Sequence, residues 1–251
     1  MILQTPHDQL LPGLGLSPGH RAQEVGDGHQ SLVDTIVDAV ARAIVQGEYP
    51  PGKPINSVML ADRFQTSRTP VREAMLVLER HGLVEIPPRR QARVAAIGQQ
   101  EVREIYELQA HLLGMVFELC ARNAKEDQLA ALRASFQGMA AAAEQSDDEA
   151  YFWANIAFHD VAAAASGNAT LKQILDPLRL RTLQLRRITL GQPGRLERSL
   201  AEHARLLDAC ERGEPELAAA IIRALSRSAL ALLEELQVAG KAPTARRAPG
   251  R

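Results

Sequence analysis

Only two cysteines occur among the 251 residues, Cys120 and Cys210, ninety positions apart. That spacing excludes a disulfide framework and a cysteine-based zinc site. Both fall in helical patterns and read as buried, inert thiols in a reducing compartment. Aromatic residues are scarce as well, at 4%. With Ala and Leu supplying most of the apolar content, the bias is towards helices rather than sheets. No apolar run approaches the roughly twenty residues that a membrane-spanning helix needs. The first twenty residues contain no Lys or Arg and are interrupted by Pro6, Pro12 and Pro18, a poor signal peptide. A soluble, cytoplasmic chain without a membrane partner is the expectation.

Net charge is only −1, so bulk charge announces no polyanionic partner. Its distribution is more informative. Residues 58–93 hold seven Lys/Arg against four Asp/Glu, a net of +3, whereas residues 98–240 hold fifteen against twenty, a net of −5. A basic module joined to an acidic one is expected.

Composition along the chain divides it further. Residues 1–29 are rich in Gly and Pro and lack periodicity, so a disordered arm is expected. Residues 240–251, "GKAPTARRAPGR", read as a disordered basic tail. Between them lie two blocks, 30–97 and 98–239. In the first, Leu32, Ile36, Val40 and Ala43 recur at helical spacing, with Ser31 as a plausible N-cap and Gly47 as the stop. A short helix over about 57–64 and another ending near residue 81 follow. Then come two short β-type runs, "LVEI" and "ARVAAI", on either side of "PPRRQ". Three helices and a small β-hairpin make a winged helix-turn-helix. The second block shows no strand signal. Six helices are expected, roughly at 99–122, 126–145, 147–165, 169–190, 195–212 and 215–238, forming an all-α bundle.

Chemistry concentrates first in "SRTPVREA", residues 67–74. Thr69 precedes a proline and so suits an N-cap, with Pro70 at the first helical position; Ser67 is the alternative cap. Val71, Ala74 and Leu78 share an inward face. Arg68 and Arg72 point elsewhere, beside Ser67, Thr69 and the positive pole of the helix. Arg89, Arg90 and Arg93 on the hairpin add positive charge. Such a set suits phosphates, and an α-helix carrying arginines suits the major groove. Solvated arginines paired to Asp62, Glu73 or Glu79 are the plainer reading. Leu76 is placed outward beside Arg72, to touch a thymine methyl or to pack against the second block.

From "AIVQGEYPPGKPINSVMLADRFQTSRTPVREAMLVLERHGLVEIPPRRQARV" onward, this block resembles the DNA-binding domain of GntR-family bacterial transcription regulators. The resemblance implies operator contacts by Ser67, Arg68, Thr69 and Arg72, with the wing residues Arg89 and Arg90 beside them. Gln91 departs from the family pattern, where the wing turn usually has glycine. The second block resembles the FCD effector domain of the FadR branch, through "EVREIYELQAHLL", "NIAFHDVAAAASGN" and "LAEHARLLDACERGEPELAAA". That resemblance implies a central cavity for a small-molecule effector and a homodimer reading a pseudo-palindromic operator in double-stranded DNA. A repressor is the leading expectation, with an activator, or a regulator without metal-dependent sensing, as the alternative.

Many such domains hold a divalent metal such as zinc with one Asp or Asn and three histidines. Asn155, His159 and His203 match the first three positions, and the fourth falls on Leu225. The set is incomplete, and the histidines read equally as hydrogen-bonding residues lining the cavity. Gln109 stands where the family often has an effector-binding arginine. Either another cation serves, from Arg179, Arg181, Arg186 and Arg187, or the effector is not a simple carboxylate. Of these, at least two are expected on a solvated or dimer surface; Arg186 is assigned to the effector site with Gln109, Asn155, His159 and His203. Tyr106, Phe152, Trp153 and Phe158 are expected in the core. The reading from another class is a helical metal-dependent hydrolase using His159, His203 and Asp160. It lacks a third strong ligand and a nucleophile–base pair, so no enzyme is expected.

Overall fold

A computed structural model describes residues 28–238. The arm expected at 1–29 and the tail at 240–251 lie outside the described residues, apart from Gly28 and His29, which open the first helix. The described chain separates into two compact units between Gln99 and Gln100.

The first unit is built from α1 (Gly28–Val45), α2 (Ser57–Arg63), α3 (Arg68–Arg80), β1 (Val84–Glu85) and β2 (Arg93–Val94). Because α1 begins at Gly28, Ser31 lies inside the helix and not at its start. Gly47 follows the helix with φ +82°, the left-handed stop that glycine adopts without a Cβ clash. α1 packs against α3, and Ile36, Val37, Val40 and Ile44 of α1 and Val71, Ala74 and Leu78 of α3 are all buried. β1 and β2 are antiparallel, with Val84 opposite Val94 and Glu85 opposite Arg93. The connector before α2 runs beside β2. Val94 N–H donates to the Lys53 carbonyl at 3.0 Å, and Ile55 N–H to the Ala92 carbonyl at 2.8 Å. The proline-rich segment thus supplies a short third edge to the hairpin.

The second unit is all-α: α4 (Gln99–Asn123), α5 (Glu126–Glu144), α6 (Asp148–Ala165), α7 (Ala169–Leu190), α8 (Arg195–Glu211) and α9 (Pro215–Val238). Local chemistry sets the breaks. Asp147 caps α6 by accepting from Ala150 N–H, and Asn168 caps α7 by accepting from Leu171 N–H. Phe117, Tyr151, Phe158, Leu175, Leu206 and Ile222 belong to one contiguous core. The two cysteines are free and buried, Cys120 on α4 and Cys210 on α8. Among the described residues no helix is long and apolar enough to cross a membrane.

Candidate functional site

In the first unit, Asn56 fixes where α2 starts: its Oδ1 accepts from Val58 N–H at 3.0 Å and from Met59 N–H at 3.3 Å. A tight turn follows, with Gln65 at φ +49°, and α3 begins at Arg68. Its N-cap is Ser67, not Thr69, so Pro70 occupies the third helical position. Backbone N–H groups of the first turn have no intrahelical acceptor, so a proline there removes no helical bond. The Ser67 side chain makes no capping bond, which leaves its hydroxyl and the helix N-terminus open together.

Ser67, Arg68, Thr69 and Arg72 are all exposed. Among the described residues, neither Arg68 nor Arg72 pairs with a carboxylate, so the plainer expectation of bridges to Asp62, Glu73 or Glu79 is not what the fold builds. Glu79 is instead turned to the hairpin, where its Oε1 accepts from Ile86 N–H at 2.9 Å. In the wing, Arg90 N–H donates to the Pro87 carbonyl at 3.1 Å, closing a turn over Pro87–Arg90. Proline at the second position and φ +60° at Arg89, the third, mark a type II turn. The left-handed residue is therefore Arg89, two places ahead of Gln91. Arg89 and Arg90 are exposed at the tip, whereas Arg93 is committed to Glu85 at 2.6 Å.

In the second unit, α4, α6, α7, α8 and α9 line a cavity of about 50 Å³. Tyr106, Gln109, Asn155, His159, Arg186 and His203 line it, with Leu225 on α9. A second cavity of about 270 Å³, lined by Glu107, His111 and Arg227, shares Tyr106 and Ser226 with the first.

Hydrogen bonds order the inner cavity. His203 Nδ1 lies 2.7 Å from the Ser199 carbonyl. A carbonyl only accepts, so this nitrogen carries the proton. Burial drives the pKa of His203 down to about 4 and that of His159 well below its ordinary value, so both rings are neutral. His203 Nε2 is then a bare acceptor. Asn155 donates to it through Nδ2 at 3.1 Å, and His159 donates through Nε2 at 3.2 Å. His159 Nδ1 is left as a buried acceptor without a partner. Arg186 Nη1 donates to Asn155 Oδ1 at 3.2 Å. Gln109 is committed to the Thr182 hydroxyl at 3.0 Å.

The arginines of α7 are not a solvated row. Arg179 is 2% exposed and held by Asp160 at 2.5 Å and Asp176 at 3.6 Å. Arg181 pairs with Glu101, and Arg187 with Glu149. Arg186 meets no carboxylate among the described residues. Burial lowers its pKa to about 10, so it stays charged at neutral pH. Arg195, which the sequence did not single out, also lines the cavity and is paired with Glu202 at 3.0 Å. Its signal was spacing: Arg195, Ser199 and His203 recur every four residues and share one face of α8.

Comparison with known proteins decides the lineage. Residues 32–94 match the bacterial regulatory proteins of the gntR family, and residues 104–228 match the FCD domain. LutR of Bacillus subtilis (strain 168), an HTH-type transcriptional regulator, is 30% identical over 191 residues, 68% of this chain and 86% of that protein. The chain belongs to the GntR family. Another relative, named "Probable D-xylose utilization operon transcriptional repressor" in Paenarthrobacter nicotinovorans, is 28% identical over 188 residues, 75% of this chain and 82% of its own. The fold matches that of E. coli McbR/YncC, with TM-score 0.73 at 22% identity, over 82% of this chain and 98% of that one. The protein is therefore a DNA-binding transcription regulator, with a GntR winged helix-turn-helix and an all-helical FCD domain.

Within this GntR protein the residues matching a metal site do not fit a divalent metal. The Nε2 atoms of His159 and His203 are 3.2 Å apart, a span that two bonds of about 2.0–2.1 Å could straddle. Chemistry argues the other way. Asn155 is neutral and its oxygen already accepts from Arg186. The fourth position is the apolar Leu225, and Arg186 adds positive charge beside the histidines. Two imidazoles and an engaged amide make a weak set for a transition metal. Among the described residues no cluster of three or more His, Cys, Asp or Glu stands ready to hold an ion.

Proposed function

We propose that the protein is a homodimeric repressor whose grip on a pseudo-palindromic operator is released when a small anionic effector binds in the FCD cavity. One pairing supports this reading. The start of α3 presents arginines without carboxylate partners, and the FCD domain holds a cavity whose lining includes Arg186, a cation that meets no carboxylate among the described residues. Arg68 and Arg72 enter the major groove, where arginine reads guanine bidentately. Ser67, Thr69, Arg89 and Arg90 contact phosphates and set the register. The repressor named among its relatives favours repression over activation.

At the other end, Arg186 takes the effector's anionic group, in place of the arginine that Gln109 does not supply. Its planar guanidinium suits a carboxylate. His159 Nδ1 accepts from a hydroxyl or amine of the same molecule. The inner cavity has room for a few waters or one small polyatomic group, so the remainder of the effector passes Tyr106 into the larger cavity beyond. Binding there favours the dimer arrangement that no longer matches the half-site spacing, by as much as the effector's affinity differs between the two states. Asp160 is locked by Arg179, which argues against a hydrolytic role beside His159 and His203. Transcription in vitro from a promoter overlapping a selected operator tests the reading. Protein should lower the transcript, and a molecule that raises the protein's Tm should restore it. A transcript that rises on addition of protein would establish activation instead.

A further inference from the structure

α3 presents Arg68, Thr69, Arg72, Glu73, Leu76, Glu79 and Arg80 to solvent. Leu76 alone among them is apolar, and it is 44% exposed. A single exposed leucine has no meaning by itself; its position on the helix gives it one. With about 100° per residue and Arg68 as origin, Arg72 lies at about 40°, Leu76 at about 80° and Thr69 at about 100°. Leu76 therefore sits inside the angular sector that the proposed DNA contacts define. At about 1.5 Å per residue it is roughly 6 Å further along the axis than Arg72, a step of one to two base pairs.

The surroundings keep that side chain clear. Glu79, which falls in the same sector one turn on, has its carboxylate taken by Ile86 N–H. Arg80 turns its Nε to the Leu76 carbonyl at 3.4 Å, and Leu76 keeps its 44% exposure. The inward face of α3 is already complete with Val71, Ala74, Met75 and Leu78. Helix propensity would be served as well by alanine, so neither core packing nor the helix itself accounts for a leucine here.

We infer that Leu76 reads the 5-methyl group of a thymine in the operator and is a specificity-determining residue of this regulator. That methyl is the apolar feature of the major-groove base edges, and cytosine lacks it. An apolar side chain beside Arg72 makes thymine the favoured base next to an arginine-read guanine. The inference rests on the groove placement proposed for Arg68 and Arg72.

Deoxyuridine isolates the contact, because it differs from thymidine by that methyl alone. The full chain is used to select duplexes from a random pool. Each thymine fixed by selection is then replaced in turn by deoxyuridine in synthetic duplexes. At the thymine that Leu76 reads, affinity should fall about fourfold, the worth of one buried methyl group. Leu76→Ala, a change on the solvent face that keeps the helix, should bind thymine and uracil alike there and lose the preference for thymine, while its guanine preferences persist. Equal affinity for uracil and thymine at every fixed position in the wild type overturns the inference, as does an undiminished uracil penalty in Leu76→Ala. Arg72→Ala tests the underlying placement separately. Unchanged affinity there overturns the groove placement itself. Affinity lost in Arg72→Ala but indifferent to the methyl overturns the role of Leu76 alone.

Discussion

His159 and His203 face one another Nε2 to Nε2 at 3.2 Å, and the proton between them belongs to His159. The Ser199 carbonyl decides this by claiming the proton on His203 Nδ1. Both rings are buried and neutral, which ties the fold's stability to pH. The pKa of His203 is about 4 in the folded protein, against roughly 6.5 in the unfolded chain. Above pH 6.5 neither state is protonated there and stability is at its full value. Between pH 6.5 and 4 the unfolded chain takes up a proton that the folded one refuses, so stability falls as pH drops. Denaturant unfolding should show a loss of up to about 3 kcal/mol from His203 over that window. His203→Gln should flatten the slope there. A wild-type stability that is level from pH 7 to 4 would contradict the neutral pair.

Leu225 lines the same cavity on α9, where a third imidazole would complete the set. Leu225→His is expected to take up zinc at near one ion per chain after dialysis. The untagged wild type should hold well under that. Elemental analysis of both proteins decides it. Stoichiometric zinc in the wild type would show that Asn155 and two histidines suffice despite Arg186.

Arg186→Gln removes the cavity's unpaired cation but keeps a donor for Asn155. Carboxylate compounds that raise the Tm of the wild type should lose about ten- to a hundredfold in affinity in this variant, the worth of a charged hydrogen bond. Thermal-shift titration reads the change directly. An undiminished shift would place the anion elsewhere.

Asn56 caps α2 through two backbone N–H groups. Asn56→Ala should cost the first unit about 1 kcal/mol, measured as faster amide exchange in α2 and α3. Asn56→Asp should hold the cap.

Much of this was legible from local signals. The six helices of the second unit begin and end within a residue or two of their expected places, because each break carries Gly, Asn or Asp with its own turn chemistry. The hairpin followed from two β-type runs around a proline pair. Less legible were features that only packing decides. The start of α3 moved from Thr69 to Ser67 because a proline is tolerated anywhere in the first turn, and the pre-proline bias alone did not fix the cap. α1 begins at Gly28 although Ser31 is the better cap by composition. The arginines of α7 looked alike in sequence. Partners distant in the chain, Asp160, Glu101 and Glu149, separated Arg179, Arg181 and Arg187 from the unpaired Arg186. The i, i+4 spacing put Asn155 and His159 on one face, but only the fold showed that Arg186 had already engaged the amide oxygen.

The most direct measurement is the affinity of the full chain for a selected duplex and for a scrambled one at physiological salt, with wild type and with the Arg68→Ala/Arg72→Ala double variant. The wild type should prefer the selected duplex by at least about a thousandfold. The double variant should lose nearly all of that preference, and its binding should depend less steeply on salt because fewer counterions are released. Equal affinity of the wild type for both duplexes, or a double variant that binds as the wild type does, would contradict the reading of α3 as the element that recognises DNA.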